Sequence, residues 1–378
     1  MDNMLFVASV LMGSTVAGVP QPPFSWHTVP VFAETSNVSG VFDDEAMGVL
    51  RRFPLFVAEK AYDFPAAGFA EDKLAALAKA FKSGGGNSPF LVFYYNANLD
   101  LTDYRLHATF AARAPSWWLR NSSNVPFIAP IDAGAGTAGA PFPYNGHGGG
   151  VPVYDHTVPA ARAAWVQECF EMRAAGFDGC MVDRWTRTPF KGGKAQYEAL
   201  GYTEAQVDAW VAAMALSTGA LLNRTRDEGT YLVGEGLGVD ASSYPGYGGG
   251  ALKKGGAALQ QQLALAAGGQ GLLASYKPGT WGGAAFETQL ACFLVGAAPG
   301  HFFGAGSWTV GHTSREGVTW HPEYDLPLGE PLGNATVAAV PPGHGHIYTR
   351  RFAYGTNVSY DSSTAEGHIQ WGTFPGIS

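Results

Sequence analysis

Short apolar runs recur along the chain, and most end on a polar or charged residue. Pro54-Leu-Phe-Val-Ala closes on Glu59 and Lys60, Phe90-Leu-Val-Phe-Tyr-Tyr on Asn96, and Cys180-Met-Val on Asp183 and Arg184. Val151-Pro-Val-Tyr runs to Asp155 and His156, Tyr231-Leu-Val-Gly to Glu235, and Leu272-Leu-Ala-Ser-Tyr to Lys277. His301-Phe-Phe-Gly-Ala-Gly ends on Ser307 and Trp308. Runs this short and this apolar read as parallel strands covered on both faces. Helical periodicity falls between them. Leu74, Leu77, Ala78 and Phe81 share one face over 71–82. Pro159 opens a helix to about Ala175 with Trp165, Cys169 and Met172 on its buried stripe. Thr203-Glu-Ala-Gln206 is a capping-box pattern that starts a helix burying Val207, Trp210, Val211 and Met214. Residues 260–267 and 286–296 are helical as well.

Strands that alternate with helices imply βαβ units and a parallel sheet. The expected fold is α/β, a (β/α)8 TIM barrel forming one domain over residues 19–378. The strand beginning at Pro54 is expected to be the first, and residues 19–50 irregular with a short helix near 44–51. The eighth strand falls either near 318–321 or at 346–352. Residues 97–150 hold Trp117-Trp118 and a Gly-rich stretch without helix or strand period, and are placed over the C-terminal mouth. Short strands at 357–360 and 368–371 belong to a β tail from about residue 346. No dinucleotide glycine motif follows the first strand and no Walker pattern occurs, so a doubly wound nucleotide-binding sheet is the lesser alternative.

Composition narrows the function classes. A net charge of -8 without basic runs disfavours nucleic acid as a partner. The aromatic content of 13% is high enough to line a cleft as well as fill a core. Residues 1–18 combine an apolar stretch, Leu5 to Met12, with a small-residue cleavage pattern, Thr15-Val-Ala17, and read as a secretory signal. Sequons begin at Asn37, Asn121, Asn223, Asn334 and Asn357, which favours a secreted or luminal, N-glycosylated protein in a eukaryote. No later segment reads as a membrane span. Cys169, Cys180 and Cys292 all lie in apolar segments, so buried free thiols are expected rather than a disulfide framework.

Catalytic groups in a barrel stand at the C-terminal ends of strands. Asp183 is such a group, and Glu235 at the end of the next strand is its best partner for glycoside hydrolysis, which needs two carboxyl groups. Glu59 with Asp183 is the wider alternative pair. Glu59, Lys60, Asn96, Asp155, His156, Arg184, Trp185, Lys277, Trp281 and Trp308 are candidate substrate contacts, with Trp117 and Trp118 as further sugar-stacking candidates. No HExxH or nucleophile-elbow pattern occurs, the histidines are scattered, and no metal or cofactor is expected.

Blocks of the chain resemble a family of glycoside-hydrolase-like barrel proteins of bacteria and algae known as hypothetical glycosyl hydrolases. Those blocks are Phe53–Lys60, Phe93–Asn96, Trp117–Arg120, Gly176–Asp183, Lys277–Trp281, Leu290–Gly296, Pro322–Gly329 and Tyr348–Phe352. The resemblance spans roughly residues 40–372 and implies a TIM barrel that hydrolyses carbohydrate. The order of a strand-four Asp and a strand-five Glu is also similar to the α-amylase-type barrels, which implies a nucleophile at Asp183 and an acid/base at Glu235. The expected function is a secreted glycoside hydrolase acting on an oligo- or polysaccharide, with a non-catalytic glycan-binding barrel as the alternative.

Overall fold

A computed structural model describes residues 19–59, 62–64, 66–84, 87–130, 150–184, 189–190, 193–235, 241–243, 257–267, 271–276, 286–305, 309–311, 319–340 and 345–375. The chain begins with β1 (Phe32–Asn37), α1 (Asp44–Leu50), β2 (Leu55–Ala58), α2 (Ala70–Ser83), β3 (Phe90–Asn96) and α3 (Arg105–Arg113). Next come β4 (Ile128–Pro130), β5 (Gly150–Pro152), α4 (Pro159–Ala174), β6 (Gly179–Asp183), α5 (Gly193–Ala199) and α6 (Glu204–Asp227). The middle continues with β7 (Tyr231–Glu235), β8 (Ala241–Ser243), α7 (Ala257–Ala267), β9 (Leu272–Tyr276), α8 (Phe286–Gly296), β10 (His301–Ala305) and β11 (Thr309–Gly311). Four strands end the chain: β12 (Thr336–Ala339), β13 (His346–Arg351), β14 (Asn357–Asp361) and β15 (Glu366–Gln370).

The protein is a mixed α/β fold built on a parallel sheet, ordered β10-β9-β8-β7-β6-β3-β2-β1-β11. Its two ends approach each other: Val31, just ahead of β1, bridges Phe303 in β10, and the Phe303 amide donates to the Pro30 carbonyl at 2.9 Å. The strands are buried throughout β2 and β3, as continuous apolar runs require. Where β6 meets β7 they crowd: a Cβ on Gly179 would lie 2.3 Å from the Tyr231 carbonyl oxygen, so that position must be glycine. The turn into β6 holds Gly176 at φ +114, which other residues adopt only with strain.

Several expectations need correction. The first strand of the sheet is β1, not the one at Pro54, and residues 19–50 are not irregular throughout. Val151–His156 is no sheet strand: β5 pairs antiparallel with β4 in a separate ribbon. A helix, α3, lies inside the segment expected to lack one; residues 131–149 of that segment are outside the described residues. The strand at 346–352 belongs to an antiparallel sheet, β12-β13-β14-β15, which packs on α8; residue 318 of the other alternative is outside the described residues. Cys169 and Cys180 are joined in a disulfide with a Cα–Cα distance of 5.8 Å, and Cys292 alone is a free, buried thiol.

The capping box at Thr203 and Gln206 is formed. The helix it starts, α6, is 24 residues long with a mean hydropathy of 1.3 in its most apolar stretch, long and apolar enough to cross a membrane by composition. The sequence reading found no such segment. Here Trp210, Met214 and Leu221 bury one stripe of the helix, which packs on α4 and β7. Core helices of soluble proteins meet the same composition test.

Behind β3 the helix layer encloses acids. Glu71 of α2 accepts from the Arg105 amide at 2.7 Å, capping α3, and hydrogen-bonds Glu168 of α4. Burial raises the pKa of both, and the charge of Glu71 raises Glu168 further. Two neighbouring buried carboxyls resist ionising together. The unfolded chain ionises both through the ordinary carboxylate range, whereas the folded chain does so only at higher pH. Their contribution is thus fully present at acid pH and lost as pH rises above that range. Glu168→Gln is therefore expected to raise the melting temperature relative to wild type more at pH 8 than at pH 4.5. Thermal unfolding at both values checks this; a gain that shrinks toward pH 8 would contradict it.

Candidate functional site

Asp183 ends β6 and is level with Asn96, which ends β3. The Asn96 amide Nδ2 donates to Asp183 Oδ2 at 2.9 Å, and the Tyr94 hydroxyl donates to the same oxygen. Asn96 cannot turn its amide round, because its Oδ1 accepts from the amides of Asn98 (2.9 Å) and Leu99 (2.8 Å). Tyr94 is anchored in turn by its carbonyl, which accepts from the Tyr104 hydroxyl at 3.0 Å. Donors converging on one oxygen fix the carboxyl group and suit it to carry negative charge. Its side chain keeps 20% of its surface exposed, so it is held but reachable. The next residue, Arg184, sits at φ +60 with its Nε 4.0 Å from Asp183 Oδ2. A non-glycine residue there costs about 1–3 kcal/mol, a kind of strain that concentrates at functional sites.

The register extends this level across the sheet. Met181 pairs with Val233 and Val182 with Gly234, so the next residues, Asp183 and Glu235, end neighbouring strands at one level. Ala58 pairs with Phe93, which brings Glu59 to the level of Tyr94. Glu59 is fully buried, and its amide donates to the Thr35 carbonyl at 3.1 Å. Glu34 of β1 pairs with Val57, one pleat below Glu59 on the same face, and is buried too. Sequence reasoning missed Glu34 and Tyr94. Glu34 lies in the stretch read as irregular, where a mostly polar sequence gives no sign of a buried strand.

Other candidates are placed elsewhere. His156 is packed edge-on between Trp165 and Trp210, with Nδ1 2.8 Å from Ser217 Oγ and Nε2 2.7 Å from the Ala97 carbonyl. Burial lowers its pKa to about 4, so it is a neutral core histidine rather than a substrate contact. Asp155 accepts from the amide and hydroxyl of Thr157 and shapes the turn into α4. Neither stands at the end of a sheet strand. Trp118 is buried, donates from Nε1 to Asp100 at 2.6 Å and stacks on His107, which removes it from the sugar-stacking candidates. Trp117 packs edge-on against Phe110. Lys60, Trp185, Lys277, Trp281, Ser307 and Trp308 lie outside the described residues, and Glu235 is described in its backbone alone. Among the described residues no three His, Cys, Asp or Glu gather as a metal site.

The parallel sheet carries acids and the Asn96 amide at its C-terminal strand ends, the place where sites of such α/β folds lie. Residues 87–356 match the model of hypothetical glycosyl hydrolase family 15, and the chain belongs to that family. Membership supports glycan hydrolysis in general terms. No protein of curated function matches the chain. Among solved structures, the fold is similar to that of the GH31 dextranase of Flavobacterium johnsoniae complexed with glucose. That likeness has a TM-score of 0.50 and 9% identity over 94% of this chain and 52% of that one. The Nostoc punctiforme debranching enzyme aligns at TM-score 0.44 and 10% identity, covering 91% of each chain. The glycoside hydrolase domain of PelA from Pseudomonas aeruginosa aligns at 0.37 and 13%, covering 65% of this chain and 83% of that one. At these identities the likeness is one of fold alone.

Proposed function

We propose that the chain is a secreted glycoside hydrolase that cleaves an oligo- or polysaccharide with Asp183 and Glu235, at the mouth of a closed (β/α)8 barrel. The observation that carries this reading is the shared register of Asn96, Asp183 and Glu235 on β3, β6 and β7. Neighbouring strands lie about 4.8 Å apart, which brings two such acids near the roughly 5–5.5 Å separation of a retaining site. Glu59 is one strand further from Asp183 and fully buried, so it fits less well as the partner. Closure of the sheet is supported by the Val31–Phe303 bridge and by β11, which follows β10 and pairs with β1.

In this mechanism the Asp183 carboxylate attacks the anomeric carbon while Glu235 gives its proton to the departing glycosidic oxygen. The C–O bond breaks and a glycosyl ester on Asp183 forms. Glu235 then takes a proton from water, whose oxygen displaces Asp183 and releases the sugar. Asn96 and Tyr94 hold Asp183 in line, and Arg184 lies beside it. Secretion is supported by the N-terminal segment, the sequons and the Cys169–Cys180 disulfide, which suits an oxidising compartment.

The purified protein should release reducing sugar from at least one member of a broad glycan panel, with the product's anomeric configuration retained by NMR. No release from any glycan, with binding intact, would favour the non-catalytic reading. Tyr94→Phe removes one hydrogen bond to a charged group, worth about 1.5–3 kcal/mol, so turnover on that glycan should fall about 10- to 100-fold. Unchanged turnover would remove Tyr94 from the positioning set.

A further inference from the structure

The function leaves the five sequons unused, and the fold treats them very differently. Asn37 ends β1, is 2% exposed, and donates to the Val41 carbonyl at 2.8 Å while accepting from Ser39. A sugar has no room there. The Asn121 side chain is committed at both ends, donating to the Leu200 carbonyl at 2.9 Å and accepting from the amides of Ser123 and Val125. Asn223 lies within α6; its partner Thr225 is buried and donates to the Leu222 carbonyl. Asn357 opens β14, a central strand of the antiparallel sheet, and donates to the Gly355 carbonyl at 3.0 Å.

Asn334 differs in its exposure and in its uncommitted side chain. It stands exposed in a bend before β12, and its amide makes no hydrogen bond among the described residues. Thr336, the third residue of its sequon, is exposed as well. The surface beside it supplies a second observation. Among the described residues β12 is an edge strand that pairs only with β13, and all four of its residues are exposed. Leu332 (64%), Val337 (54%) and Ile347 (39%) bare apolar side chains around it. An exposed apolar edge of this kind is a template for pairing with a second chain, and proteins cover or block such edges. A group attached two residues ahead of the strand would stand over it.

We propose that Asn334 is the N-glycan acceptor of this chain and that its glycan shields the β12 edge. The proposal rests on the secretory part of the functional reading. The test therefore supplies its own secretory leader, in a eukaryotic cell, so that failure of the chain's N-terminal segment to direct export is a separate result. The folded, secreted protein is deglycosylated in heavy-oxygen water with an amidase that converts each glycan-bearing Asn to Asp, and the peptides are mapped by mass spectrometry. The label is expected at Asn334 and absent at Asn37. An unlabelled Asn334, or a labelled Asn37 in folded protein, overturns the assignment. Asn334→Gln, secreted from the same cells, is expected to shift toward larger species in size-exclusion light scattering at matched concentration, whereas Asn223→Gln keeps the wild-type profile. An Asn334→Gln protein with the wild-type profile overturns the shielding role.

Discussion

Asp183→Asn should abolish hydrolysis of any glycan the wild-type protein cleaves, while leaving the melting temperature and glycan affinity nearly unchanged. The substitution keeps the shape of the side chain and removes its charge. An amide at Asp183 still has an oxygen to accept from Tyr94 and Asn96, so the local fold is expected to persist. What is lost is the nucleophile that forms the glycosyl ester. Glu235→Gln removes a proton donor instead, which costs about 10²–10⁴-fold for a general acid. The loss should be smallest on substrates whose leaving group needs little protonation, such as nitrophenyl glycosides. Comparing both variants on one natural and one activated substrate separates the roles. Full activity of Asp183→Asn would refute the assignment of the nucleophile. A Glu235→Gln loss equal on both substrates would refute the assignment of the acid.

The parts of this architecture legible in the sequence are those whose structure is decided locally. Helices α2, α6 and α8 carry a helical period or a formed cap, and β2, β3 and β6 are unbroken apolar runs, so each announces itself. β1 does not. Its sequence, Phe-Ala-Glu-Thr-Ser-Asn, is mostly polar, and only its position between β2 and β11 buries it. β8 is three small residues, Ala-Ser-Ser, recognisable solely through pairing with β7 and β9. α3 buries just Leu106 and Phe110, too sparse a stripe to read as a period. At the site, Asp183 and Asn96 were legible because each breaks an apolar run at its far end. Tyr94 was hidden because a tyrosine inside such a run reads as core, and its hydroxyl partner is 89 residues away in sequence. His156 failed in the opposite sense: it follows an apolar run, but that run pairs in an antiparallel ribbon and delivers the imidazole to the helices.

Loss of the Cys169–Cys180 bond should destabilise the fold by about 3 kcal/mol, within the 2–4 kcal/mol typical of a native disulfide. The bond closes a loop of sequence separation 11 and ties α4 to β6, the strand that ends in Asp183. Cross-linking of this kind acts chiefly by restricting the unfolded chain, so the effect appears in unfolding equilibria before it appears in activity. Both cysteines are fully buried, which keeps reductant out until the structure opens. Alkylation in denaturant without reductant should therefore label one thiol per chain. That thiol is Cys292, whose pKa burial pushes up to about 12, so it reacts only once exposed. After reduction the count should rise to three. The Cys169→Ala/Cys180→Ala protein should unfold at lower urea than wild type and ignore added reductant, while wild-type protein reduced in urea should move toward it. Three labels without reductant, or urea midpoints that coincide for reduced and unreduced wild type, would show that the thiols are not joined. The double variant should still turn over substrate at temperatures where it remains folded, because Asp183 is held by Tyr94 and Asn96 of β3 rather than by the disulfide.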